Sequence, residues 1–134
     1  MVDAQIWAFR CYRSERGINE IRAWYDRQTP KVRGKFLSRL KTLGQFQPHE
    51  WVLPYFRWLH GECEGIGEVR FEVMRVQHRP LGFQGPGTVF TLAICAREAD
   101  SHFVPTNACA IALARKTAIE DNKERSHACW LVLE

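Results

Sequence analysis

The chain has 134 residues, 46% of them hydrophobic and 25% charged, the composition of an ordinary globular protein large enough to bury one core unaided. No apolar run approaches the roughly 18 uncharged residues that a membrane span requires, and the opening "MVDAQIWAFRCYRS", with Asp3 and no long apolar stretch, does not read as a secretory leader. The net charge of +4 is uneven: residues 1–60 hold eleven Lys and Arg against five Asp and Glu, a balance that suits an anionic partner, either nucleic acid or an acidic protein segment.

Residues 5–13, "QIWAFRCYR", alternate Ile6, Ala8 and Arg10 with Trp7, Phe9 and Cys11, which predicts a first strand bounded by Ser14 and Gly17. "SERGINEIRAWYDRQ" then sets Ile18, Ile21, Trp24 and Tyr25 at helical spacing. A second helix is expected in "TPKVRGKFLSRLKTLGQF", with Thr29 as N-cap, Pro30 at the first helical position and Gly44 at the end. Val32, Phe36, Leu40 and Leu43 form its apolar stripe; Lys31, Lys35 and Arg39 form a basic one, which is either a solvated face or a binding face. Residues 45–65 read as irregular, with "WVLPYFRWLHGE" lying against the core.

The run "GEVRFEVMRVQHRPLGF" predicts a strand pair. Val69, Phe71 and Val73 point to one side, Glu68, Arg70 and Glu72 to the other. The polar side is either a wet face with cross-strand ion pairs or a concave surface whose arginines grip phosphate. After the turn "QGPG", the nearly continuous apolar run "TVFTLAICARE" reads as a central strand. "ADSHFVP" is expected as a loop, and Pro105 opens a helix in "TNACAIALARKTAIEDNKE". The tail "SHACWLVLE" fits either a short strand or a helical turn. The order β-α-α-β-β-β-α predicts a single α+β domain over residues 1–134, a helical hairpin on a mostly antiparallel sheet with the last helix beside it.

The five cysteines show no framework spacing, and Cys11, Cys95 and Cys109 lie in apolar surroundings, so they read as reduced core residues of a cytosolic protein. His60-x-x-Cys63 has no second ligand pair behind it, and no metal site is expected.

The ordered set "LHGECEGIGEVRFEVMRVQHRPLGF", "FTLAICARE" and "VPTNACAIALARK" resembles the RelE/HigB superfamily of toxin ribonucleases, most closely its phage- and HigB-related branch. The likeness runs from about residue 6 to residue 120. It implies a small, curved sheet carrying a helical hairpin and a cytoplasmic type II toxin that cuts mRNA on the ribosome. Cleavage would proceed by attack of a ribose 2′-hydroxyl on the adjacent phosphate, with neither metal nor cofactor. The implied partners are the ribosome, mRNA and a cognate antitoxin, often with a helix-turn-helix.

In such a reaction negative charge builds on the non-bridging oxygens, where positioned guanidinium groups stabilise it. The resemblance assigns that work to Arg70, Arg79 and Arg97, meeting from separate strands on one phosphate. His102 would move a proton, as a histidine titrating near neutrality can, and Glu68 is either the general base or a structural partner of Arg70. Lys31, Lys35 and Arg39 would hold ribosomal RNA backbone. Arg97-Glu98, with Asp100 following, stands where many relatives carry paired lysines, and Phe103 near where some carry an aromatic hydroxyl. The alternative from the same scaffold is a protein-binding module without nuclease activity, such as a gyrase-directed toxin or a phage accessory protein.

Overall fold

The computed structural model describes residues 5–130. Asp3 of the N-terminal reading and residues 131–134 of the tail lie outside them. The fold is α+β: three helices and an eight-strand, mixed, mostly antiparallel open sheet. The elements in chain order are β1 (Ala8–Tyr12), α1 (Glu20–Asp26), α2 (Pro30–Gln45), β2 (Phe56–Trp58), β3 (Gly67–Val69), β4 (Phe71–Val73), β5 (Val76–Gln84), β6 (Val89–Ala99), β7 (His102–Val104), α3 (Ala108–Asp121) and β8 (Ser126–Ala128).

The sheet path is β2-β3-β5-β6-β1-β8, with β4 continuing β3 along β5 and β7 folding back on β6. β1 runs parallel to β6, Phe9 opposite Phe90; all other pairings are antiparallel. β6 is therefore central, as its unbroken apolar character predicts. Four short strands go beyond the expected set. β2 emerges from the segment read as irregular, the arginine-spaced run breaks into β3, β4 and β5, β7 replaces part of a loop, and β8 takes the tail.

Local chemistry sets the helix boundaries. Asn19 accepts a hydrogen bond from the Arg22 N–H at 3.0 Å, and Gly17 sits at φ +80°, so α1 starts later than its apolar spacing suggests and leaves Ile18 exposed. Thr29 caps α2 as expected, its Oγ1 accepting from the Val32 N–H at 3.3 Å ahead of Pro30. Gly44 does not end α2 but lies within it. Its carbonyl accepts from the Ile6 and Trp7 N–H groups at 2.7 and 3.0 Å, a close approach of chains.

The sheet separates two cores. On one face α1 and α2 bury Ile21, Trp24, Val32, Phe36 and Leu40 against Phe9, Val69, Phe71, Phe90 and Leu92. Trp51 and Phe56 join this core, as expected for their segment, and the Trp51 indole donates to the Leu43 carbonyl at 3.0 Å. On the other face α3 packs Ala108 and Ala112 on Leu81, Phe83, Ala93 and Ala96. The last helix thus lies across the sheet from the hairpin, not beside it, because β5 and β6 carry apolar residues on both sides.

Two disulfides correct the reading of reduced cysteines. Cys11 pairs with Cys129 and Cys63 with Cys109, leaving Cys95 as the free thiol among the described residues. The antiparallel return of β8 along β1 brings the first pair together, and packing of α3 beside the 3-10 turn at Gly61–Cys63 brings the second. Burial pushes the Cys95 thiol well above its ordinary range, so it is a neutral, inert group at pH 7.

Candidate functional site

Where β4, β5, β6 and β7 lie side by side, the register sorts side chains into rows. Phe71, His78, Arg97 and Val104 form one row; Glu72, Gln77, Glu98 and Phe103 form the next. Neighbouring rows face opposite sides of a sheet. The first row belongs to the face of the helical hairpin, the second to the face of α3.

A single bulge decides this phase. Gly82 pairs with Leu92, but Leu81 pairs with Ile94, so β6 holds one extra residue at Ala93. Without it Arg97 would share a face with Arg79; with it, Arg97 stands opposite His78 and faces the other way. Gly82 is suited to this point, since a Cβ there would collide with the Thr91 carbonyl and the Phe90 ring.

On the α3 face, Glu68 is the hub. It is fully buried, with Arg57 Nε at 3.3 Å, Arg79 Nε at 3.8 Å and Arg70 Nη1 hydrogen-bonded to Oε2. Arg79 is also buried. It donates to Glu98 Oε1 at 3.0 Å, to the His78 carbonyl at 2.9 Å and to Gln77 Oε1 at 3.0 Å. Burial, and next the charge of Arg70, lower the Arg79 pKa, while Glu98 and Glu68 pull it back; an arginine so held stays charged. Glu68 is thus held as the shared ion-pair partner of Arg57, Arg70 and Arg79.

Arg70 and Arg79 meet a third cation. Between β3 and β4 the register along β5 is unbroken, and the Arg70 N–H turns to the β2 side, donating to the Tyr55 carbonyl at 2.9 Å. There Arg39 of α2, its guanidinium 4.8 Å from the Tyr55 ring centre, overhangs the β4 edge. Burial lowers the Arg39 pKa, opposed by Tyr55. The three arginines line one open cleft of about 430 Å³ with Leu53, Pro54, Glu72 and Gln77. Lys31 and Lys35 are exposed further up α2.

The expected meeting of Arg70, Arg79 and Arg97 is not what the fold builds. Arg97 and His102 lie on the hairpin face, exposed, and Arg39 takes the third position in the cleft. Two residues in or below the cleft went unassigned. Arg57 holds Glu68 from β2, a strand without sequence signal, and exposed Glu72 accepts from the Gln77 amide. Only Glu72 had a signal, its place two residues after Arg70 on the polar side.

His78 floors a second groove, on the hairpin face. Its ring stacks on Phe71 at 4.9 Å and meets the Trp24 edge at 6.3 Å. Burial first, then Arg97 and Arg79, lower its pKa below the ordinary value; burial, Arg13 and Arg10 do the same for His127. With folded-state values depressed, the unfolded chain takes up protons first. The stability these groups contribute is whole above about pH 6.5 and is lost as pH falls below it. Urea midpoints should therefore drop between pH 7 and 5, and His78→Asn should flatten that slope; parallel slopes in the two proteins would exclude His78 as a source.

Among the described residues no group of three or more His, Cys, Asp and Glu is placed to hold a metal, and Cys63 is committed to its disulfide. No protein-family model matches the chain, and no curated protein or solved structure matches it either.

Proposed function

We propose that the chain is a RelE/HigB-like toxin domain that holds RNA backbone in the Arg39–Arg70–Arg79 cleft and cuts mRNA on the ribosome. The observation that carries this reading is the gathering of three guanidinium groups, from α2, from β5 and from Arg70 between β3 and β4, over one hollow. Arg79, anchored by two carboxylates, supplies a fixed positive floor. Arg70 and Arg39 have N–H groups to turn towards a phosphate's non-bridging oxygens, where charge develops. Glu72 is the carboxylate at the rim suited to accept the 2′-hydroxyl proton. The 2′-oxygen would bond to phosphorus as the P–O5′ bond breaks, leaving a cyclic phosphate and a 5′-hydroxyl that takes its proton from solvent. Lys31 and Lys35 extend the basic surface for ribosomal RNA. An antitoxin, helix-turn-helix or otherwise, would act by covering the cleft, and the site of action would be the cytoplasm.

Induction of the chain alone should arrest growth with mRNA cut inside codons. Arg70→Ala should slow cleavage on isolated ribosomes about 10²–10³-fold, the cost of removing one transition-state donor. Intact transcripts at arrest would refute the reading.

The disulfides favour a second one. Such bonds persist in oxidising compartments, where there is no ribosome to attack. There the same scaffold would serve as a protein-binding module without nuclease activity. Thiol-alkylation shifts on the chain drawn from cells separate the two: cysteines oxidised in the functioning cell favour the module, reduced ones the toxin.

A further inference from the structure

The groove on the hairpin face has no part in the proposed cleavage, and it is built unlike the arginine cleft. It spans about 510 Å³ between the α1–α2 corner and the ends of β4 to β7, a volume ordinary for small-molecule sites. Trp24, Val32 and Val73 form its inner wall. Its rim leaves apolar side chains in water: Met74 is 78% exposed, Val76 37% and Val104 38%.

Gln28 and Thr29 add polar lining at the α1–α2 corner, and Arg97 and His78 are the two groups here that suit an anion. Arg97 is the charged residue lining the groove, and among the described residues no carboxylate lies within ion-pair distance of it. His78, 3% exposed, has its Nδ1 buried without a hydrogen-bond partner. A buried polar atom left unpaired is costly, and a ligand atom that pairs with it recovers that cost. A neutral imidazole can offer an N–H there, and the lowered pKa keeps His78 neutral at pH 7.

A free guanidinium beside a hydrogen-bonding imidazole suits a planar anion, which arginine binds in bidentate fashion. The lining holds no second charged residue, and Trp24, Val32, Met74 and Val76 offer it a hydrocarbon wall. We propose that this groove binds a small organic monocarboxylate with an apolar body, its carboxylate on Arg97 with one oxygen towards His78, and its hydrocarbon against Trp24, Val32, Met74 and Val76. The site is independent of the RNA reading, since it shares no lining residue with the arginine cleft.

Octanoate is a suitable probe, followed by NMR of the Arg97 and His78 side chains in the intact chain. Saturable shifts at both are expected, with octanol and octylammonium binding at least about tenfold more weakly. Arg97→Gln should reduce octanoate affinity about tenfold and bring it level with octanol. Val104→Glu, which puts a carboxylate on the row beside Arg97, should abolish octanoate binding. Both substitutions lie on the exposed rim, where folding is not at stake. Equal affinity for acid and alcohol, or indifference to Arg97→Gln, would overturn the proposal. So would a peptide with an apolar C-terminal residue and free carboxylate binding where octanoate does not, which would make the groove a protein-docking site instead.

Discussion

Replacing Glu68 with alanine should cost the fold about 3–5 kcal/mol, the penalty for stripping a buried charge of its partner. The carboxylate is the shared counter-ion of Arg57, Arg70 and Arg79. Arg57 is about half exposed and can turn to water. Arg79 cannot: its side chain is buried, and only Glu98 would remain to neutralise it. Glu68→Gln should fall between wild type and Glu68→Ala, because the amide oxygen keeps one acceptor while the charge is lost. Urea unfolding of the three proteins checks the order. Glu68→Ala with an unchanged midpoint would mean that the arginines are solvated and Glu68 is not their hub.

Reducing both disulfides should be comparably severe. They span 118 and 46 residues of sequence, and the chain-entropy cost of reopening loops that long is at most about 4–5 kcal/mol each. The double variant Cys11→Ser, Cys63→Ser should melt well below the oxidised parent and near the parent in excess reductant. Thiol titration in denaturant supplies the chemical control. One reactive group, Cys95, is expected in the oxidised chain and five after reduction. Five in a chain never exposed to reductant, with an unaltered melting point on adding it, would remove the disulfides from the stability argument.

Much of the architecture was legible because it is written locally. Thr29-Pro30 announces a helix start by capping chemistry that needs no other part of the chain. Val69, Phe71 and Val73 bury together as their alternation requires, and the apolar length of β6 gives away its central place. What stayed hidden depends on distant partners. Neither β8 nor the pairing of Cys11 with Cys129 exists until the tail lies along β1. β2 has three residues and no period to detect.

The site was half legible for the same reason. Arg70 and Glu68 share a polar side by simple alternation, and burial then turns that expected wet face into an ion-pair core. Arg79 and Arg97 can be related only through the β5–β6 register, which one extra residue at Ala93 inverts. Composition and spacing along either strand do not record that residue's effect. Arg39 joins the cleft because α2 crosses the β4 edge, a tertiary fact that its basic stripe does not contain.

β1 lies between β6 and β8, partners that follow it by roughly eighty and over a hundred residues. On a chain emerging from the ribosome, β1 must wait unpaired while the segments from α1 to β5 are synthesised. The hairpin of helices and the β3–β5 ladder can assemble from nearby segments in the meantime. Folding during synthesis is thus timed by β1 finding β6 and β8, and a product stalled before them would present an open β1 edge to whatever strand is at hand.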